Sequence, residues 1–249
     1  LDDAFSFPYN MTLGAIENDS LIFQVGKRIG FHAKRLGVQI NFAPVVDINT
    51  NPANPIIGFR SFGEDKYNVS NKALNYLKGM HHYGIMGAAK HFPGHGDTET
   101  DSHLTLPTIG FSKDRIDEVE LYPFKKLIEN GLDGIMTAHL NIPSLDKNKV
   151  STLSKKVINN LLIDDLGFKG LVITDALDMK AIVDFSKGDY PDVSALNAGN
   201  DLLLMPTDVD KSIKELKKAI QKNKISSKTL EKAVKKNLMA KYKSGLNNF

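Results

Sequence analysis

One rhythm of apolar and polar positions repeats along the 249 residues: a helical stretch ends in Gly or Asn, a short apolar run follows, and a polar or ionisable residue closes it. Four runs are Gly37–Asp47, Gly84–His91, Gly134–His139 and Gly170–Asp175, and a fifth, Asn200–Met205, follows the same rhythm with an apolar end. Short apolar runs bounded by turn signals suit strands buried on both faces. The glycines fit helix C-termini, which favour a left-handed residue. Between the runs the spacing is helical. Leu21, Val25, Ala33 and Leu36 share one face, as do Val69, Ala73, Tyr76, Leu77 and Met80. A third helix is predicted from Ser112 through Ile116, Val119, Phe124, Leu127 and Ile128, interrupted at Pro123. A fourth runs from an Ser154 N-cap to Leu166 and stops at Gly167. Val209, Ile213, Leu216 and Ile220, then Leu230, Val234 and Leu238, mark two closing helices.

Strands alternating with helices predict a parallel α/β architecture. An open doubly wound sheet and a (β/α)8 barrel both satisfy that rhythm. No Gly-x-Gly-x-x-Gly follows a strand, which removes the usual dinucleotide fingerprint. Asp47, Lys90 with His91, His139 and Asp175 close four different runs, and a barrel brings such strand ends to one mouth. The sequence therefore predicts a TIM-type barrel, taken as a single domain over 1–249 with a basic helical tail over about 208–246. Only five strands are evident where a barrel needs eight. The expectation is a chain that begins mid-barrel, is continuous with further segments of a longer polypeptide, and is unstable alone because its outer strands lack partners.

Charge and composition narrow the function classes. From Lys211 onward twelve lysines stand against Glu215 and Glu231, so this stretch carries +10 while the whole chain carries +3; the first 210 residues are therefore acidic. No basic–aromatic interleaving marks a nucleic-acid surface, and the lysines read as a solvated helix face. No apolar run approaches the ~18–20 residues of a membrane span. The absence of Cys excludes disulfides and thiolate metal sites and leaves the compartment open.

The densest chemistry lies in Lys90-His-Phe-Pro-Gly-His-Gly-Asp-Thr-Glu-Thr-Asp-Ser-His103. Three readings fit these residue types. His91, His95 and His103 with Asp97 or Asp101 could bind Zn²⁺, although no helix aligns them. Gly94 and Gly96 with Lys90 could cradle a phosphate, although no Gly-Lys-Ser/Thr helix start follows. Asp101 and His103 could form a carboxylate–imidazole pair for acid/base chemistry.

This stretch resembles the signature of the β-N-acetylglucosaminidase branch of glycoside hydrolase family 3. Asn41-Phe-Ala-Pro-Val-Val-Asp47, Ile57-Gly-Phe-Arg-Ser-Phe-Gly63 and Val172-Ile-Thr-Asp-Ala-Leu-Asp-Met179 resemble its companion motifs, in order. The resemblance implies Asp175 as nucleophile, His103 as acid/base and Asp101 as its partner. It implies that Arg60, Lys90 and His91 bind the sugar, and it leaves His95 to brace the loop. Asp178 reads as a helix cap. Asp47 and His139 are candidates for supporting places around the sugar, Asp47 equally for a turn leaving its strand. The family's earlier strand, ending in a sugar-gripping Asp with a nearby Arg, has no counterpart here.

The implied chemistry is retaining hydrolysis of a terminal β-linked N-acetylglucosaminide through a covalent glycosyl-enzyme, with no metal and no organic cofactor. A histidine with an ordinary pKa of about 6.5 can give and take the proton near neutral pH. The implied partner is the carbohydrate substrate, with cell-wall recycling as a setting; bacterial cytoplasm and periplasm are both compatible. Two rival readings are a family 3 β-glucosidase and, for this stretch of chain alone, an inactive sugar-binding or scaffold domain.

Overall fold

The structure, a computed structural model, describes residues 6–98, 106–186 and 190–246. Its centre is a parallel sheet of β1 (Ile40–Asn41), β2 (Met86–Phe92), β3 (Gly134–Thr137) and β4 (Leu171–Thr174), hydrogen-bonded in chain order. A single bridge from Ile173 to Leu202 adds the fifth run beyond β4. Each strand thus neighbours the one before it. That sequential order is the arc of a barrel; a doubly wound sheet reverses direction about an interior strand.

The first run is regular over only two residues because Pro44 has no amide to donate. Pairing nevertheless continues past it: the Ala43 and Pro44 carbonyls accept from Ala88 and Lys90, and Val46 N–H donates to Lys90 at 2.8 Å. Asp47 is thereby carried to the same level as His91. β3 and β4 are buried at every position, as continuous apolar runs require in a parallel sheet.

The helices cover this sheet. α1 (Asn10–Gly14) precedes α2 (Asp19–Arg35), which lies along α3 (Lys66–His81). These two approach so closely that a Cβ at Gly26 would meet the Tyr76 carbonyl at 2.1 Å and one at Gly79 the Phe23 carbonyl at 2.3 Å. The third predicted helix is two: α4 (Lys113–Glu118), whose Ser112 cap accepts from Arg115 N–H, and α5 (Tyr122–Glu129), with Pro123 in its first turn where no donor is lost. The fourth, Lys156–Asp165, is wound as a π-helix; Val157, Ile158, Leu161 and Leu162 still reach the core, since a four-residue spacing serves either winding. The Ser154 hydroxyl accepts from Val157 N–H at its start.

Three helices carry no signal long enough to predict: α1, α6 (Lys180–Ser186) and α7 (Pro191–Ala198), none longer than 8 residues. The chain closes with α8 (Val209–Gln221) and α9 (Ser227–Lys243), capped by Asp208 and Ser226. In α9 the stripe that meets the strands is not the leucine stripe. Lys236 donates to the Gly170 carbonyl at 2.9 Å and to Asp201 at 2.7 Å, and Asn237 to the Asp201 carbonyl at 2.8 Å, while Ala233 is buried. Leu230, Val234 and Leu238 are exposed. Among the described residues no helix is long and apolar enough to cross a membrane.

Candidate active site

The mouth is organised by Asp47, which is fully buried and accepts from three donors, two on His91 at the end of β2 and one on His95 in the loop after it. Its carboxylate takes His91 Nδ1 at 2.6 Å, His91 N–H at 3.1 and 3.2 Å, and His95 N–H at 2.7 Å. Burial alone pushes the Asp47 carboxyl up, but its interactions with His91, with His95, outweigh it and hold the group below the ordinary 3.8. Asp47 thus binds protein on every side; it ties the loop after β2 to the end of the first run.

That tie orients His91. Arg60, on a 3₁₀ turn (Gly58–Arg60), places NH2 3.2 Å from His91 Nε2. A guanidinium only donates, so Nε2 accepts and the ring proton sits on Nδ1, facing Asp47. NH1 of Arg60 is held by the Ile56 carbonyl at 3.2 Å. Asn54 fixes the turn from below, its Oδ1 accepting from Ile56 and Ile57 N–H and its amide donating to the His95 carbonyl, all at 2.9 Å.

Lys90, beside His91 on β2, and Asp175, directly after β4, adjoin this cluster. Desolvation by burial, with the Arg60 charge, lowers the Lys90 ammonium from 10.5; Asp175 and Asp47 oppose the fall. Asp175 follows β4 directly and is half-buried. Its N–H donates to the Thr137 carbonyl at 3.0 Å and its Oδ1 accepts from Ala176 N–H at 2.9 Å. Oδ2 takes no hydrogen bond from the described residues. A carboxylate anchored through one oxygen, with no described residue donating to the other and with the Lys90 ammonium near it, is suited to attack an electrophilic carbon or to balance a developing cation.

His139 lies behind Asp175. Nε2 donates to the Ala176 carbonyl at 2.9 Å, and Nδ1 meets the Thr152 hydroxyl at 2.9 Å. Burial lowers its pKa from 6.5, against the pull of that carbonyl and of Asp175, so it is a neutral ring with both nitrogens engaged. It fixes the residue after Asp175 and has no capacity left for a ligand. Thr152 gave no sequence signal, being an ordinary Thr in a Ser-Thr-Leu turn thirteen residues on.

The loop over 93–98 is pressed against its surroundings. A Cβ at Gly96 would sit 1.8 Å from the Ile48 carbonyl, and one at Gly94 would sit 2.7 Å from Glu120 Cβ. Glu120, missed in the sequence, is buried behind the loop and paired with Arg115 at 2.7 Å. His95 meets Thr98 Oγ1 at 2.9 Å. Asp101 and His103 lie outside the described residues. Asp178 is exposed, two residues before α6. Among the described residues, no three His, Cys, Asp or Glu side chains are grouped to hold a metal ion.

The described part of the mouth therefore unites Arg60, Lys90, His91 and Asp175, with Asp47 and His139 behind them. The N-terminal domain profile of glycosyl hydrolase family 3 matches residues 1–239. The chain belongs to that family. Its parallel arc is accordingly part of a (β/α)8 TIM-type barrel. It is 36% identical to beta-hexosaminidase A of Pseudoalteromonas piscicida over 98% of this chain and 45% of that protein. A beta-hexosaminidase of Nitrosomonas eutropha is 32% identical over 88% of this chain and 64% of its own length. Among solved structures, a family 3 beta-N-acetylglucosaminidase from Paenibacillus sp. superimposes with a TM-score of 0.92 at 37% identity, covering 96% of this chain and 46% of that one. The beta-glucoside phosphorylase BglX superimposes at 0.95 with 26% identity, covering 98% of this chain and 46% of its own. The chain thus spans from under half to just under two thirds of the relatives it matches.

Proposed function

We propose that this chain carries the reaction centre of a retaining β-N-acetylhexosaminidase that removes terminal β-linked N-acetylglucosamine. The observation that supports it most is Asp175: anchored through one oxygen, with no described residue donating to the other, and near Lys90 at the end of β4. In this reading Asp175 attacks the anomeric carbon as the bond to the leaving oxygen breaks, and His103 gives that oxygen a proton. Water then opens the glycosyl ester, losing its proton to His103 and returning Asp175 as carboxylate. Asp101 orients His103, and Arg60, Lys90 and His91 hold the sugar hydroxyls.

The choice of N-acetylglucosamine rests on the relatives named beta-hexosaminidase. A glucoside is the second reading, favoured by the structural likeness to a beta-glucoside phosphorylase. Both are tested by assaying matched chromogenic β-N-acetylglucosaminide and β-glucoside. The expected result is faster release from the first and labelling of Asp175 by a 2-deoxy-2-fluoro or 5-fluoro glycoside. Preference for the glucoside would replace the sugar assignment, and label on another carboxylate would remove Asp175 from the role. Binding of sugar without turnover of either substrate, in the longest available form of the protein, would leave a sugar-binding domain.

A further inference from the structure

Behind Asp175 lies a chain of hydrogen bonds whose side chains, Thr137, His139 and Thr152, are all buried. Asp175 N–H donates to the Thr137 carbonyl at 3.0 Å, and Ala176 N–H donates to Asp175 Oδ1 at 2.9 Å. The next peptide is gripped on both edges. Its carbonyl, on Ala176, accepts from His139 Nε2 at 2.9 Å, and its amide, on Leu177, donates to the Leu204 carbonyl at 2.9 Å. The Ala176 backbone is thereby fixed, and with it the amide that tethers Oδ1.

A neutral His139 can hold that carbonyl as one tautomer only. A carbonyl accepts, so Nε2 carries the hydrogen and Nδ1 is a bare lone pair, which in a buried place needs a donor. Thr152 Oγ1 faces it at 2.9 Å. The same hydroxyl lies 2.7 Å from the Ala138 carbonyl, so one proton stands between two acceptors. Given to the carbonyl, it would leave Nδ1 against an oxygen lone pair and favour the Nδ1–H ring, whose bare Nε2 would repel the Ala176 carbonyl. The neutral ring with its hydrogen on Nε2 therefore requires the Thr152 proton at Nδ1. Asn200, at the start of the fifth run, donates to the Thr152 carbonyl at 2.8 Å and accepts from Thr137 Oγ1 at 3.0 Å. The hydroxyl is thus held in place from the strand that also takes the Asp175 amide.

We infer that Thr152 is a positioning residue for the reaction: by donating to His139 Nδ1 it sets the ring tautomer that holds the Ala176 carbonyl, and so the aim of Asp175. The assignment rests on the reading of Asp175 as nucleophile. Attack through Oδ2 is aimed only while the Oδ1 tether holds its direction, and a displacement of about 1 Å at a reacting group can cost about 100-fold in rate. Thr152 acts at two removes from the sugar, so its loss falls on the chemical step and leaves sugar binding intact.

The test measures kcat and KM on an aryl β-N-acetylglucosaminide, and the rate of labelling by a 5-fluoro glycoside, in wild type, Thr152→Val, Thr152→Ser and Ser151→Ala. Isotope-edited NMR of the histidine ring nitrogens accompanies each, with the His139 signal assigned as the one lost in His139→Gln. Ser151 is the buried neighbour whose hydroxyl donates to the Leu140 carbonyl at 3.1 Å, so its variant reports what losing a buried hydroxyl in this turn does to folding alone. Thr152→Val keeps the shape and removes the donor. We expect its kcat and labelling rate to fall about 10–100-fold with KM within about twofold, and its Tm to fall no further than that of Ser151→Ala. The His139 hydrogen should move from Nε2 to Nδ1, and Thr152→Ser should restore both the rate, to within about threefold, and the Nε2–H ring. Wild-type rates in Thr152→Val, an equal loss of rate in Ser151→Ala, or hydrogen on Nδ1 in the wild type would overturn the positioning role. The wild-type spectrum decides even if Thr152→Val does not fold. Label on a carboxylate other than Asp175 in the wild type would remove the nucleophile reading itself, and the positioning role with it.

Discussion

Just before β3 and within the fifth run, Asp133 and Asp201 each accept from a neighbouring strand's amide, Gly87 and Val172 respectively at 2.9 Å, and each meets a basic side chain, His81 at 2.6 Å and Lys236 at 2.7 Å. At the opposite ends of the same sheet, Asp175 holds one amide through Oδ1, and among the described residues none donates to its Oδ2 and none accepts from Lys90 Nζ. The residue types are alike; what differs is spare capacity. At the base every donor has its acceptor, which is what a buried polar group needs for stability. At the mouth Lys90 and Asp175 keep hydrogen-bonding capacity that no described residue takes up, which suits a ligand.

The sharpest way to break this contrast is to exchange single atoms at each end. Asp175→Asn should lower kcat on an activated aryl glycoside by on the order of 10³-fold or more while Tm stays within a few degrees. A large fall in Tm would mean that Asp175 belongs with the structural acids. Asp133→Ala should do the reverse: the Gly87 amide and His81 lose their acceptor, and chemical denaturation should show a loss of about 1–3 kcal/mol with kcat per folded molecule unchanged.

Acidity probes the neutral rings of the mouth. Burial holds His95 and His139 below 6.5, so the unfolded chain takes up protons before the folded one does as pH falls. Stability should therefore decline as pH drops from 6.5 through their lowered folded values, and Asp47 should add a second decline below 3.8. His139→Gln should make the first decline shallower by about one proton, about 1.4 kcal/mol per pH unit, in denaturation measured from pH 7 to 5. An unchanged slope would show that His139 is not held neutral.

The smallest effect is expected at Lys236. Lys236→Met should cost about 1 kcal/mol and leave turnover alone. Burial, opposed by Lys236, already raises Asp201 above 3.8, and without Lys236 it rises further. A raised acid contributes stability that is lost as pH climbs through its folded value, so the variant's deficit should be small near pH 4 and larger at pH 7. A pH-independent deficit would argue that Lys236 acts through its contact with the Gly170 carbonyl alone.

The strands were legible because four of the five apolar runs are closed by their own chemistry, and the Ser112 cap and Pro123 break were legible because both act locally. The links that organise the mouth are not local. Asp47 meets His91 across 44 positions and Arg60 meets His91 across 31, with no spacing in the sequence to announce either. α1, α6 and α7 are too short to establish a period. In α9 two stripes share the helical repeat, and hydropathy favours the leucine one although the sheet is met through Ala233, Lys236 and Asn237.

That last helix also constrains how the chain can change in length. Lys236 reads the strand ends from a position fixed by the count of residues after Ser226. One residue inserted between them turns the rest of the helix by about 100° and advances it 1.5 Å, carrying the ammonium off Asp201. The same insertion in the exposed Lys222–Lys224 stretch after α8 leaves the phase of α9 untouched. Insertions and deletions among relatives should accordingly gather on the near side of that serine, with the first ten residues of the helix invariant in number even where their identities drift.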